Sequence, residues 1–195
     1  MPVFARLLFL VVVWLPLPAL ASPIHIVTLG DSATSGWLVP RDKAYPAQLQ
    51  RMLRAKGYDV VVKNAGIPGD TSAAALKRLD LAVDPDTDVV LVELGTNDLR
   101  AHVTRGKMEA NIGEIVNTLK KRGIAVLLIG LGSLDLSALA RTLDVPYSQW
   151  RLPPHRYRAR DGAHFNALGY RVLLARTLPQ IETLIRARQR PKNGM

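Results

Sequence analysis

Four short polar clusters carry side chains with chemistry to offer. They are Gly30-Asp31-Ser32-Ala33-Thr34, the stretch 64–70 (NAGIPGD), Gly95-Thr96-Asn97-Asp98 and Asp161-Gly162-Ala163-His164. A serine hydroxyl is a weak nucleophile until a neighbouring base takes its proton. Ser32 is the candidate nucleophile and His164 the candidate base. Asp161 lies three residues before His164 and can turn back to orient the imidazole. Attack on an acyl carbon creates an oxyanion, which needs donors aimed at it. The Ser32 N–H, the Gly69 N–H and the Asn97 side-chain amide can supply them. Glycine at 69 lets the backbone approach a substrate closely. Asp31 and Asp98 are expected to brace their loops by accepting backbone N–H bonds, as short carboxylates at turns do. A rival grouping of Asp31, Asp98, Asp161 and His164 would make an oxygen-rich metal site. It leaves Ser32 and Gly69 without roles, so neither a metal nor a cofactor is expected.

Such clusters act together only if a scaffold brings them to one place. The chain alternates short apolar, β-branched runs with amphipathic stretches. Strands are predicted over 24–29, 60–63, 88–94 (DVVLVEL) and 124–129, with a short fifth over 144–147. Between them Tyr45, Leu49, Met52 and Leu53 share one helical face, which Gly57 ends. Asp70 or Thr71 can cap a helix carrying Leu76 and Leu79. Met108, Ile112, Ile115, Val116 and Leu119 form another face, closed by Lys120, Lys121, Arg122 and Gly123. A short helix is expected over 134–143. Asn166 can cap a last helix, which Pro179 should kink or restart. This alternation predicts a parallel sheet with helices on both faces. Ligands in such folds bind beyond the carboxyl ends of the strands, where these polar loops fall.

The clusters, in this order, resemble the motif blocks of the SGNH (GDSL) hydrolase family, named for Ser, Gly, Asn and His. Block one matches Gly30-Asp31-Ser32 with Thr34 and Gly36. Block two matches Gly69, block three Gly95, Asn97 and Asp98, and the last block Asp161 and His164. The stretches NAGIPGDTS and VLVELGTND are similar to the bacterial multifunctional thioesterase, arylesterase and lysophospholipase branch. The resemblance implies a flavodoxin-like three-layer α/β/α sandwich with a central parallel sheet of about five strands. It implies metal-free hydrolysis of carboxylic esters or thioesters through an acyl-enzyme on Ser32. The family's catalytic positions fall on Ser32, Asp161 and His164, and its oxyanion donors on Ser32, Gly69 and Asn97. The α/β-hydrolase elbow G-x-S-x-G is absent, in keeping with this family. Two departures stand out. Residues 130–160 form a compact segment where that branch has a longer one, which implies a more open site. Thr96 stands where the branch often has a second glycine.

Composition narrows the alternatives. With 48% hydrophobic and 22% charged residues, the chain is not of the disordered kind. It has no Cys, which excludes disulfide scaffolds, Cys-based zinc or Fe–S sites and a Cys nucleophile. Residues 1–21 (MPVFARLLFLVVVWLPLPALA) read as a secretory signal peptide, with Ser22 the first mature residue. No Cys follows the small residues, so a lipoprotein is not expected. Residues 22–195 are then a single domain, periplasmic or secreted. The formal net charge is +10. Arg151, Arg156, Arg158 and Arg160 cluster before the last block, and Arg186, Arg188, Arg190 and Lys192 form a basic tail. They are a solvated surface, or a weak attraction to an anionic membrane or cell-wall surface. No nucleic-acid recognition motif or aromatic platform accompanies the charge. The expected partner is a small-molecule or lipid ester. A carbohydrate O-acetylesterase of the cell envelope and a non-catalytic envelope binding protein are the alternatives.

Overall fold

The computed structural model describes residues 22–151 and 154–189. The segment read as a signal peptide, together with Arg190 and Lys192 of the basic tail, lies outside them.

Five strands form one parallel sheet: β1 (Ile24–Gly30), β2 (Val60–Gly66), β3 (Val89–Glu93), β4 (Ala125–Leu131) and β5 (Tyr147–Trp150). Their spatial order is β2-β1-β3-β4-β5. The chain leaves β1 toward β2 and then returns past β1 to β3. The direction of winding therefore switches between β1 and β3, which is where such sheets open a crevice. Gly30 pairs with both Gly66 and Glu93, so β1, β2 and β3 end level with one another. The loops that follow these strands share that end of the sheet.

Burial on both faces explains why the central strands read as nearly continuous apolar runs. Val27, Leu29, Val90, Val92, Val126 and Leu128 point to one face. There they meet α3 (Ser72–Lys77), α4 (Leu79–Ala82), α6 (Arg105–Lys121) and α7 (Ser137–Leu143). Ile26, Val89, Leu91, Leu127 and Ile129 point to the other, against α2 (Tyr45–Ala55) and α8 (Ala167–Gln189). The result is the expected three-layer α/β/α sandwich. Two very short helices complete it, α1 (Ser32–Ser35) after β1 and α5 (Thr96–Arg100) after β3.

The structure moves several predicted boundaries. β2 runs on to Gly66 past its apolar part, because it is an edge strand whose ladder with β1 tolerates exposed Asn64 and half-buried Lys63. The helix expected to carry both Leu76 and Leu79 breaks at Arg78 into α3 and α4. Arg78 reaches from the break to the Asp70 carboxylate and the Ala65 carbonyl. The fifth strand begins at Tyr147 rather than 144. Asp144 takes a left-handed conformation that ends α7, and the Pro146 carbonyl accepts the Leu128 N–H. α8 continues through Pro179. Its buried residues Leu173, Leu174, Leu178, Ile181 and Ile185 lie on both sides of the proline, and packing holds both halves to the sheet.

One close approach positions the front of the chain. A Cβ placed on Gly66 would lie 2.3 Å from the Ser35 backbone nitrogen and 2.7 Å from the Thr34 carbonyl carbon. These are backbone atoms and cannot swing aside. Gly66→Ala is expected to cost about 1–3 kcal/mol, the usual penalty of overpacking. A urea midpoint equal to that of the wild type would contradict this contact.

Candidate active site

Ser32 opens α1 at the carboxyl end of β1. Asp31 caps the helix, its Oδ1 accepting the Ala33 N–H at 2.9 Å. Gly36 ends it in a left-handed conformation at φ 81°. From below, the Tyr170 hydroxyl donates to the Ala33 carbonyl at 2.9 Å. Ser32 is thus held on a short, doubly anchored turn, 132 residues away in sequence from the group it meets.

That group is His164, whose Nε2 lies 2.9 Å from Ser32 Oγ. Its Nδ1 lies 2.5 Å from Asp161 Oδ2. The other Asp161 oxygen accepts the N–H groups of Ala163 and His164, each at 3.0 Å. The turn therefore closes on its own carboxylate. The hydrogen bond from His164, and then the backbone donors, hold the Asp161 carboxyl at about 2, below its ordinary 3.8. With its Nδ1–H donating to the ionised Asp161 carboxylate, His164 offers the Nε2 lone pair to the Ser32 hydroxyl.

The basic segment before this turn has a building role. Arg158 and Phe165 form an isolated antiparallel bridge, and the Ala159 N–H donates to the His164 carbonyl at 2.8 Å. Asn166 Nδ2 donates to the Arg156 and Arg158 carbonyls, while its Oδ1 accepts the N–H groups of Leu168 and Gly169 at the start of α8. One asparagine thereby joins the Arg-rich segment to the last helix across His164. Phe165 anchors the turn in the core beside Trp150 and Tyr170. His155 stands exposed in a separate 3-10 turn, and His25 pairs with Asp86.

The other loops converge on Asp31. Its Oδ2 accepts from Thr96 Oγ1 at 2.7 Å and from Asn97 Nδ2 at 2.9 Å. Asn97 Nδ2 also donates to the Asp70 carbonyl at 2.9 Å. The Asn97 amide is the side-chain donor expected for an oxyanion. In the free chain it ties the loop of Ser32 to the loop of Gly69. The Ser32 and Gly69 N–H groups donate to no other described residue. Asp98 is fully buried and accepts from Ser72 N and Ser72 Oγ, bracing the start of α3. With Asp31 and Asp98 so occupied, the four-ligand metal grouping does not assemble: among the described residues no three His, Asp or Glu side chains form a metal-binding cluster. Thr96 gives its hydroxyl to this network.

Sequence reasoning missed Glu93. It ends β3 fully buried, its Oε2 accepting from Thr34 Oγ1 at 2.9 Å. Its Oε1 has no partner among the described residues. A carboxylate inside the apolar run 89–94 was the available signal. Burial first, and then the charge of Asp31, push this carboxyl well above its ordinary value near 4.5. The folded chain therefore keeps a proton that the unfolded chain gives up near pH 4.5, and stability falls as pH rises above that point. Glu93→Gln carries no such proton. Its melting temperature is expected to escape this fall and to match or exceed that of the wild type at pH 8. A Gln variant melting several degrees lower at pH 8 would mean that Glu93 is ionised in the folded chain.

Ser32 and His164 open onto a cavity of about 300 Å³. Leu99, Leu131, Leu134 and Phe165 supply apolar wall, and Arg100 also lines it. Trp150 is buried and donates to Thr177, while Trp37 is about half exposed and does not line the cavity.

Residues 28–150 match the model of the GDSL-like lipase/acylhydrolase family. The match stops short of Asp161 and His164, which the fold brings to the site. An arylesterase of Vibrio mimicus is 34% identical over 125 residues, covering 64% of this chain and 62% of its own. Esterase TesA of Pseudomonas aeruginosa is 33% identical over 107 residues, covering 54% and 53%. The chain thus spans between half and two thirds of the length of these curated relatives. Among solved structures, TesA superposes with a TM-score of 0.73 at 25% identity, over 82% of this chain and 99% of its own. AlinE4, an SGNH-hydrolase family esterase, superposes with a TM-score of 0.66 at 26% identity, over 85% and 98%.

Proposed function

Because the chain belongs to the GDSL-like lipase/acylhydrolase family, we propose that it is a serine ester hydrolase acting on carboxylic esters or thioesters. The observation that carries this reading is the hydrogen-bonded series Asp161–His164–Ser32 at the mouth of a cavity. Ser32 Oγ attacks the acyl carbon as His164 Nε2 takes its proton. The tetrahedral intermediate collapses, and the leaving alkoxide or thiolate takes that proton from His164. Water then attacks the acyl-enzyme with His164 again as base, releasing the acid and restoring Ser32.

The oxyanion meets the Ser32 and Gly69 N–H groups. Asn97 joins them by exchanging its bond to the Asp70 carbonyl for one to the developing charge. Such a donor is worth about 10²–10³ in rate. Asn97→Ala is therefore expected to lower kcat by that factor. A kcat within threefold of the wild type would remove Asn97 from the chemistry.

The finer reading is an exported enzyme of the arylesterase, lysophospholipase and thioesterase kind. The apolar segment 7–20 and the small residues Ala19 and Ala21 support export. The compact segment 130–160 favours one alternative, a carbohydrate O-acetylesterase taking a small acyl group on a bulky alcohol. The test is an acyl-length series of p-nitrophenyl esters on the purified mature protein, with a fluorophosphonate probe to label Ser32. Octanoyl preference supports the lipid-like reading, and acetyl-only turnover the sugar esterase. No labelling and no turnover would make the chain a binding protein. N-terminal sequencing of the secreted or periplasmic form should begin at Ser22.

A further inference from the structure

We propose that Arg100 makes this site selective for esters that carry an anionic group, a carboxylate or a phosphate, close to the scissile bond. The inference rests on the hydrolase reading above and names the substrate class of the same site.

The cavity beside Ser32 and His164 is apolar along Leu99, Leu131, Leu134 and Phe165. Two charged side chains also line it, Asp31 and Arg100. Asp31 is almost wholly buried, and its oxygens are taken by Ala33, Thr96 and Asn97. Arg100 is exposed at the end of α5. Its position in the chain puts it on the same helical face as Asn97, three residues earlier. Its Nη1 lies 3.4 Å from Asn97 Oδ1, a long contact that uses one of five donors.

Some arginines of the described chain are neutralised, and lining this cavity sets Arg100 apart from the rest. Arg78, Arg105, Arg122, Arg186 and Arg188 each lie within salt-bridge distance of a carboxylate. Among the described residues Arg100 has no such partner. A guanidinium fork matches carboxylate and phosphate oxygens in pairs. Placed at the wall of a reaction cavity, it attracts an anion whose attached ester then reaches Ser32. The anion can sit on the acyl part or on the leaving group, and the shape of the cavity leaves both open.

Two matched pairs of esters separate these sources. For the leaving group the pair is 4-acetoxybenzoate against methyl 4-acetoxybenzoate. For the acyl part it is mono-4-nitrophenyl adipate against 4-nitrophenyl hexanoate. The readout is the ratio of kcat/KM for the anionic ester to that for its neutral partner, so a general loss of activity cancels. Arg100→Gln is expected to lower this ratio about tenfold in at least one pair, mainly through KM, the effect of one partly screened charge-assisted contact. Arg100→Lys should keep part of the preference, and rising salt should erode it. Arg151 provides the control. It lines an adjoining hollow that shares Gly132 and Ser133 with the main cavity but also holds Asp135. Arg151→Gln should leave the ratio unchanged. Ratios unmoved by Arg100→Gln in both pairs, or lowered equally by Arg151→Gln, overturn the proposal while hydrolysis of the neutral esters upholds the parent reading. A wild-type chain that cleaves none of the four esters and is not labelled at Ser32 overturns the parent reading instead.

Discussion

Ser32→Ala is expected to reduce kcat on a p-nitrophenyl ester by a factor on the order of 10⁶, the scale seen when a triad nucleophile is removed. The oxygen it deletes is the atom that would bond to the acyl carbon, and among the described residues no other side chain hydrogen-bonds His164 Nε2 to replace it. Ser32 is one of two described side chains hydrogen-bonded to that imidazole, the other being Asp161. The variant should remain folded. The cap of α1 runs from Asp31 to the Ala33 N–H, and the Tyr170 hydroxyl holds the Ala33 carbonyl. Neither bond uses the Ser32 hydroxyl. Circular dichroism and the melting temperature should therefore match the wild type while fluorophosphonate labelling disappears. A folded Ser32→Ala protein that turns over at the wild-type rate would end the acyl-enzyme mechanism.

Asp161→Asn should cost about 10⁴ in kcat with little change in KM, because it reverses a tautomer. One oxygen at this position accepts two backbone N–H bonds, from Ala163 and His164. An asparagine keeps its carbonyl there and turns its NH₂ toward His164 Nδ1. That nitrogen must then accept, and the ring proton moves to Nε2. A protonated Nε2 donates to Ser32 and cannot take its proton. The substitution also has an acid-side signature. The carboxyl titrates near 2 in the folded chain and near 3.8 in the unfolded one. Its stabilising contribution is complete above about pH 4 and is lost as pH falls toward 2. The difference in melting temperature between wild type and Asp161→Asn should shrink across that window. A constant difference, or a rate loss under tenfold, would show that the carboxylate neither orients the ring nor supports the turn.

Much of this was legible before any coordinates. The apolar runs marked β1, β3 and β4, because strands buried on both faces are mostly apolar, with only His25 and Thr28 in β1 and Glu93 in β3 to interrupt them. The edge strands were less clear. β2 keeps Lys63 and Asn64 in its ladder, and β5 lies beyond a proline and a left-handed aspartate, so neither shows a clean apolar period. The helix over Leu76 and Leu79 satisfied local periodicity, yet Arg78 interrupts it on the way to Asp70 and Ala65. Pro179 removes one backbone donor, but the burial of Leu178 and Ile181 on either side keeps α8 a single helix.

Residue types and order were enough to assign Ser32, Gly69, Asn97, Asp161 and His164 to one kind of chemistry, since each role demands a particular functional group. What those residues do to one another had to come from the fold. No local pattern could reveal that Asn97 spends its amide on Asp31 and Asp70, that Thr34 is the partner of Glu93, or that Arg100 lines the cavity with no carboxylate partner among the described residues. These facts depend on loops from separate strands meeting at one end of the sheet, and on the dielectric and partners found there. Functional groups are written locally along a chain, whereas distance, burial and competing hydrogen bonds belong to the packed whole.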